Sequence, residues 1–227
     1  MKDQEAEEHI AYVRKVLGIV TVQMTLTFIL AALAANFKSI GLFFKNPYVF
    51  MFAFILMMVC VLAIACSKEC RRSVPKNYIL LAGATLGEAS FLACAAADLT
   101  VFSVFTAIMA TCIAVAGLFV AALYTASTVD RDVLIRNMIK GLIGAAFLNL
   151  FMLIVIVFMY SPKDKAAVFV ISMLMCLIAG GYIMFALFFI IVPGIEDKDD
   201  YILGALRLYL EIARLFFWLM KILGEKK

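Results

Sequence analysis

Seven polar side chains interrupt runs that are otherwise hydrocarbon: Gln23, Thr27, Thr85, Glu88, Arg207, Glu211 and Arg214. An ionisable group inside a bilayer costs about 2.5–3.5 kcal/mol on insertion scales, so it turns toward the bundle interior and finds a partner there. Gln23 and Thr27 are four apart and Thr85 and Glu88 three apart, which puts each pair on one helix face. Toward the carboxyl end, Gly204, Arg207, Glu211, Arg214, Trp218 and Lys221 recur at steps of three or four and draw a single polar stripe. Two chemistries fit these residues. Gln23, Thr85, Glu88 and Glu211 could line a path for protons or cations. Alternatively, two buried acids could be cancelled by two buried bases, with Arg207 paired to Glu211 four residues on and Arg214 reaching Glu88. A blander arrangement lets Arg207 and Lys221 snorkel to opposite interfaces and meet no acid.

The elements that must carry these groups follow from composition. Of the 227 residues, 66% are hydrophobic and 16% charged, against roughly 45–50% apolar in an ordinary soluble domain. The excess lies in unbroken runs, each near the ~20 residues that cross a ~30 Å hydrocarbon core as a helix. Alternation of period two is absent, and a lipid-exposed backbone must bond within its own segment. The sequence therefore reads as an all-α, seven-helix transmembrane bundle. Its spans are placed at Val16 to Ala35, Pro47 to Cys66, Asn77 to Ala97, Val101 to Tyr124, Ile139 to Tyr160, Ala167 to Val192 and Tyr201 to Leu223. Connections are short, so residues 1–227 read as one polytopic domain.

Loop charge sets the orientation. Lys2, Arg14, Lys15, Lys68, Arg71, Arg72, Lys76, Arg131, Arg136, Lys140 and Lys198 fall on one side; Lys38, Lys45, Lys163, Lys165, Lys221, Lys226 and Lys227 fall on the other. That bias puts the amino-terminal end on a cytosolic or matrix side. Six spans with a re-entrant last segment would move the carboxyl end across. The start "MKDQEAEEH" is acidic and runs into a full-length span, unlike a cleavable signal.

Enzyme signatures fail in turn. Six cysteines (Cys60, Cys66, Cys70, Cys94, Cys112, Cys176) and one His9 give no catalytic pairing, and Cys66 with Cys70 are too few for a closed zinc site. His9 reads as a solvated side chain. Gly141, Gly144 and Ala145 favour close helix packing, not phosphate binding. No catalytic residue, metal or cofactor is expected. The basic loop "CSKECRRSVPK" is too short and too interrupted for nucleic acid; beyond topology, Lys68, Arg71 and Arg72 read as contacts to anionic lipid head groups. The Phe-rich stretches "GLFFKNPYVFMFAF" and "ALFFIIVP" face lipid or a partner subunit.

Three separated motifs resemble the transmembrane Bax-inhibitor-motif (lifeguard) family. "YVRKVLGIVTVQMTLTFILAA" is similar to its opening helix. "VPKNYILLAGATLGEAS" is similar to its third, with Pro75, Asn77, Gly83, Thr85 and Glu88 in place. "DDYILGALRLYLEIARLFFWLMKIL" is similar to its carboxyl-terminal signature. The resemblance covers nearly the whole chain and implies seven helices around a central last one. It also implies residence in an intracellular membrane (mitochondrial inner membrane or ER/Golgi), a pH-sensitive calcium or cation leak, and protection from cell death. It implies a leak site of two acids, one in the last helix and one in a Tyr-Asp-Thr motif of the sixth. Glu211 carries over. At the sixth-helix position stand Phe185, Ala186 and Leu187, so the carboxylate pair is broken. Two close acids share a proton and offer oxygens to a hard cation, which Ala186 cannot do. Asp98 is a further acid that could stand in. Two expectations follow: a Ca²⁺ or proton leak that modulates ion homeostasis and cell death, or a non-conducting accessory subunit of a large membrane assembly such as a mitochondrial respiratory complex.

Overall fold

Backbone amides that cannot reach water must bond along their own helix, and the long apolar segments are accordingly helical among the described residues. A computed structural model describes residues 2–159, 165–195 and 197–227. Among them run nine α-helices: α1 (Lys2–Asn36), α2 (Lys38–Lys45), α3 (Pro47–Cys66), α4 (Lys68–Arg72), α5 (Lys76–Ala96), α6 (Val101–Thr128), α7 (Arg131–Met159), α8 (Lys165–Ile191) and α9 (Tyr201–Leu223). A 3-10 turn, Lys198–Asp200, leads into α9.

Six of these are long and apolar enough to cross a membrane: α1, α3, α5, α6, α7 and α8. The seventh expected span, α9, carries Arg207, Glu211, Arg214 and Lys221 and is set apart by that charge. It is nevertheless the centre of the bundle, packing against α8, α6, α1 and α5, with Tyr209, Phe216, Leu206, Leu208 and Met220 almost wholly enclosed. Its 23 residues make about 34 Å at 1.5 Å per residue. It starts beside α4 and ends beside the α5–α6 connection, so it runs from one end of the bundle to the other.

Local chemistry fixes the corners. Asn46 accepts from Tyr48 N at 3.0 Å with Pro47 in the first turn of α3, Ser67 accepts from Cys70 N at 3.2 Å, and Thr100 accepts from Ser103 N at 3.2 Å. Each side chain satisfies an amide that a helix start leaves unbonded. α3 lies close on α5 because Gly83 and Gly87 lack side chains there. A Cβ on Gly87 would fall 2.7 Å from Ala53 O, and one on Gly83 2.7 Å from Cys60 Sγ. Of the small residues expected to pack, Gly141 does so under the Phe185 ring, whereas Gly144 has open space beside it.

Several elements differ from the sequence reading. The first helix begins far before Val16, and the loops around residues 38–45 and 68–72 are helical. The short α2 has Ile40, Phe43 and Phe44 on one side and Lys38 and Lys45 on the other, a half-and-half pattern that a search for 20-residue apolar runs passes over. Tyr160, Lys163 and the end of the expected fifth span lie outside the described residues.

Candidate functional site

A polar core sits between α1, α5 and α9. Gln23 Nε2 donates to Thr85 Oγ1 at 2.7 Å, and Thr85 donates to Leu81 O at 2.8 Å. Thr27 donates to Gln23 O at 2.9 Å and lies 2.9 Å from the Tyr209 hydroxyl, which in turn lies 3.4 Å from Thr85 O. The expected face-sharing of Gln23 with Thr27 is thus observed, and Gln23 meets Thr85 across the helix interface. Tyr209 was not among the residues singled out. Its signal was present, since it is the one hydroxyl in the "LYLE" run. It falls on the side of α9 opposite the charged stripe, among apolar neighbours.

The charged part of the site lies along α9. Arg214 Nη1 stands 3.1 Å from Glu211 Oε2. The contact is ionic without being an aligned hydrogen bond, and Glu211 Oε2 remains an enclosed acceptor with no hydrogen-bond donor. Gln23 Oε1 is another such acceptor. Glu88 forms no ion pair or hydrogen bond among the described residues. Glu88 is among the residues that line a cavity of about 130 Å³, with Phe50, Phe54, Met57 and Phe91. The field of Arg214 reaches Glu88 as well as Glu211.

This corrects the pairing expected from the sequence. Glu211 takes Arg214, three residues on, rather than Arg207, four back, and Arg214 acts on Glu88 only at a distance. Both spacings share a helix face, and both guanidinium groups lie over aromatic rings. The Arg207 guanidinium lies over the Phe189 ring, 5.1 Å from its centre, and Arg214 lies 5.6 Å from that of Tyr182. Asp98, weighed as a stand-in acid, is ion-paired to Lys45 near the far end of the bundle, away from Glu211. Ala186 is buried in α8, a helix without a single acid. Among the described residues no group of three or more His, Cys, Asp or Glu converges as a metal site would.

The basic loop also differs from its sequence reading. Arg71 is buried and grips Asp200 with two bonds, Nε to Oδ1 at 3.0 Å and Nη2 to Oδ2 at 2.8 Å. Arg72 donates to the same Asp200 at 2.8 Å and to Asp197 at 2.6 Å. Two of the three cations assigned to lipid head groups are therefore taken up by the acids just before α9; Arg71 is buried there, while Arg72 stays exposed, as does Lys68, which bonds no described residue. Burial pushes the Asp200 carboxyl up, but the bonds from Arg72 and Arg71 outweigh it and leave it below the usual carboxylate range. Arg72 likewise holds Asp197 low. Asn77, enclosed beneath this clamp, donates to Arg71 O at 3.3 Å. His9 is not solvated: its Nε2 meets Ile191 O at 2.8 Å, tying the start of α1 to the end of α8.

An all-helical bundle with six membrane-capable helices around a charged central one defines a multi-pass membrane protein. Comparison with known families then specifies it, since the family described as inhibitor of apoptosis-promoting Bax1 matches residues 9–227. The chain belongs to the Bax-inhibitor family. It is 27% identical over 225 residues to Protein LIFEGUARD 2 of Arabidopsis thaliana, covering 98% of this chain and 91% of that one. It is 28% identical over 214 residues to Protein LIFEGUARD 3 of the same plant, covering 93% and 83%. The motif residues acquire physical duties from the structure. Asn77 braces the clamp, Gly83 lets α3 approach, and Thr85 bonds Gln23.

Proposed function

We propose that this chain is a cation or proton leak of an intracellular membrane, held nearly shut by its own arginine, that modulates ion balance and cell-death signalling. The observation that carries this reading is the 3.1 Å contact between Arg214 and Glu211. A hydrated cation drawn to two acids in a low-dielectric interior finds a guanidinium already there, and attraction between charges at this distance is far stronger than in water. With Ala186 at the sixth-helix position, Glu88 is the second carboxylate. Gln23 Oε1 and Glu211 Oε2, enclosed acceptors that receive no hydrogen bond, are groups that a passing proton or cation would satisfy. The reading involves no catalytic chemistry and no bound cofactor.

In this reading α9 is a seventh crossing. Its end-to-end course supports that, and the loop charges put the amino-terminal end on the cytosolic or matrix side. The mitochondrial inner membrane and the ER or Golgi are the candidate locations. Reconstitution with a calcium or proton dye inside the vesicle tests the leak. A slow flux that disappears in Glu211→Gln is expected; vesicles as tight as protein-free controls would contradict it.

A second reading, a non-conducting accessory subunit of a large assembly such as a respiratory complex, is favoured by Ala186 itself, which removes one carboxylate of the pair. Broad exposed aromatic surface at Phe43, Tyr48, Phe52 and Phe102 would serve as contact area. Co-migration with a megadalton assembly on native gels in mild detergent supports this reading, and a band at monomer or dimer mass removes it.

A further inference from the structure

The end of the bundle opposite the arginine clamp holds a cavity of about 650 Å³ whose lining includes Lys38, Lys45, Lys226 and Lys227, with Asp98 as the one acidic side chain among its lining residues. Sequence distance separates these lysines widely; the fold gathers them. The segment after α9 returns along the α5–α6 connection as a short antiparallel bridge, Leu99 with Lys226. Thr100 N donates to Glu225 O at 2.9 Å, Lys227 N donates to Asp98 O at 3.0 Å, and Glu225 N donates to Ser103 Oγ at 3.0 Å. These bonds make the segment a fixed wall.

Two of the four ammonium groups are occupied and two are not. Lys45 pairs with Asp98, and Lys227 Nζ donates to Ala35 O and Ala97 O. Lys38 and Lys226 bond no described residue, so the cavity keeps an excess of positive charge. Lys38 and Lys45 are seven apart in α2 and share a face, with Gly41 between them pressed against the carbonyl of Ala34: a Cβ there would lie 2.9 Å from it. Phe43 is on the other face of α2 and is 58% exposed. A short helix with lysines on one side and phenylalanines on the other lies in the plane of a membrane interface, with its charges at head-group level.

We propose that this cavity binds the phosphate of an anionic phospholipid in the leaflet on the α2 side, with Lys38 and Lys226 as its ligands and Leu42 against its acyl chains. A soluble phosphate would meet the same ammonium groups. The lipid is the better occupant because the cavity opens where α1 and α5 end, exposed Leu42 lines it, and the exposed Phe43 on the other face of α2 fits that helix to an interface. The site is independent of the leak reading, sharing none of its residues.

Native mass spectrometry of the full chain in detergent, with phosphatidic acid and phosphatidylcholine of equal chain length, tests this. Each lysine near a head group contributes roughly fivefold in affinity, so Lys38→Gln with Lys226→Gln should lower the preference for phosphatidic acid about 30-fold. Lys68→Gln, an exposed cation at the other end, should leave it unchanged. Neither the Lys38 nor the Lys226 ammonium group bonds a described residue, and an unaltered melting temperature of the double variant verifies the fold. The proposal is overturned if the wild type shows no such preference, if the double variant keeps it, or if Lys68→Gln removes it equally. Displacement of the lipid by inorganic phosphate alone would assign the cavity to a soluble anion and likewise overturn it.

Discussion

Arginine meets carboxylate at two places along α9, and the meetings differ in how fully the charges are used. Before the first turn, Arg71 and Arg72 place four donor bonds on Asp200 and Asp197, between 2.6 and 3.0 Å. Near the middle of the helix, Arg214 touches Glu211 once, without alignment, and Glu88 bonds nothing described. The first arrangement has the geometry that repays desolvation, a fork on a carboxylate. The second leaves capacity unspent, and buried polar groups with unused capacity are where function is sought. A tight clamp at one end and a loose pair in the middle let α9 be anchored while its centre stays open to exchange.

The largest effect that sharpens this contrast is expected at the clamp. Arg71→Ala leaves Asp200 buried with only the side-on bond of Arg72, and removal of one partner of a buried pair costs about 3–5 kcal/mol. A melting temperature in detergent that falls by many degrees is expected; a shift of a degree would show the clamp to be ornamental. The clamp also fixes an acid limit. The Asp197 and Asp200 carboxyls are held below the ordinary carboxylate range in the folded protein by the bonds from Arg72 and Arg71. Depressed carboxyls contribute stability that is complete above the ordinary range and lost as pH falls through the folded value. Stability should therefore be indifferent to these groups from about pH 5 upward and drop below about pH 4. Arg71→Ala should flatten that drop, whereas a clamp-dependent transition centred near neutral pH would break the comparison.

An intermediate effect is expected in the neutral part of the core. Tyr209→Phe removes the hydroxyl from Thr27 and Thr85 O, worth about 1 kcal/mol, while Thr27 keeps its bond to Gln23 O. Circular dichroism melts should resolve that loss, and none at all would mean that the hydroxyl contributes nothing. The smallest effect is expected for Glu88→Gln. Since Glu88 holds no ion pair, exchanging its carboxylate for a neutral isostere should change stability by less than about 1 kcal/mol. A large loss would show Arg214 to be committed to Glu88 after all.

Much of the architecture was legible in the residues. Apolar runs placed seven spans, six of which are helices long and apolar enough to cross a membrane, and three-four spacing drew the stripe from Arg207 to Lys221. Gln23, Thr27 and Thr85 do meet. Partner choice was not legible. Arg207 and Arg214 are equally well spaced for Glu211, and spacing along one helix does not say which of them the acid takes. Arg71 and Arg72 looked like head-group cations because their acids lie about 125 to 129 positions away. The lysines of the opposite end looked sparse, as loop counts cannot see that a returning segment brings Lys226 beside Lys38. Hydrophobic periodicity reports what is buried, and long-range charge pairing is decided by contacts that it does not encode.

The most direct test of the central claim is calcium and proton flux through vesicles containing Arg214→Gln. If the arginine is what keeps the path shut, flux should rise severalfold above the wild type and return to background when Glu211→Gln is added. A variant as silent as protein-free vesicles, or a wild type already leaking at the same rate, would contradict the account.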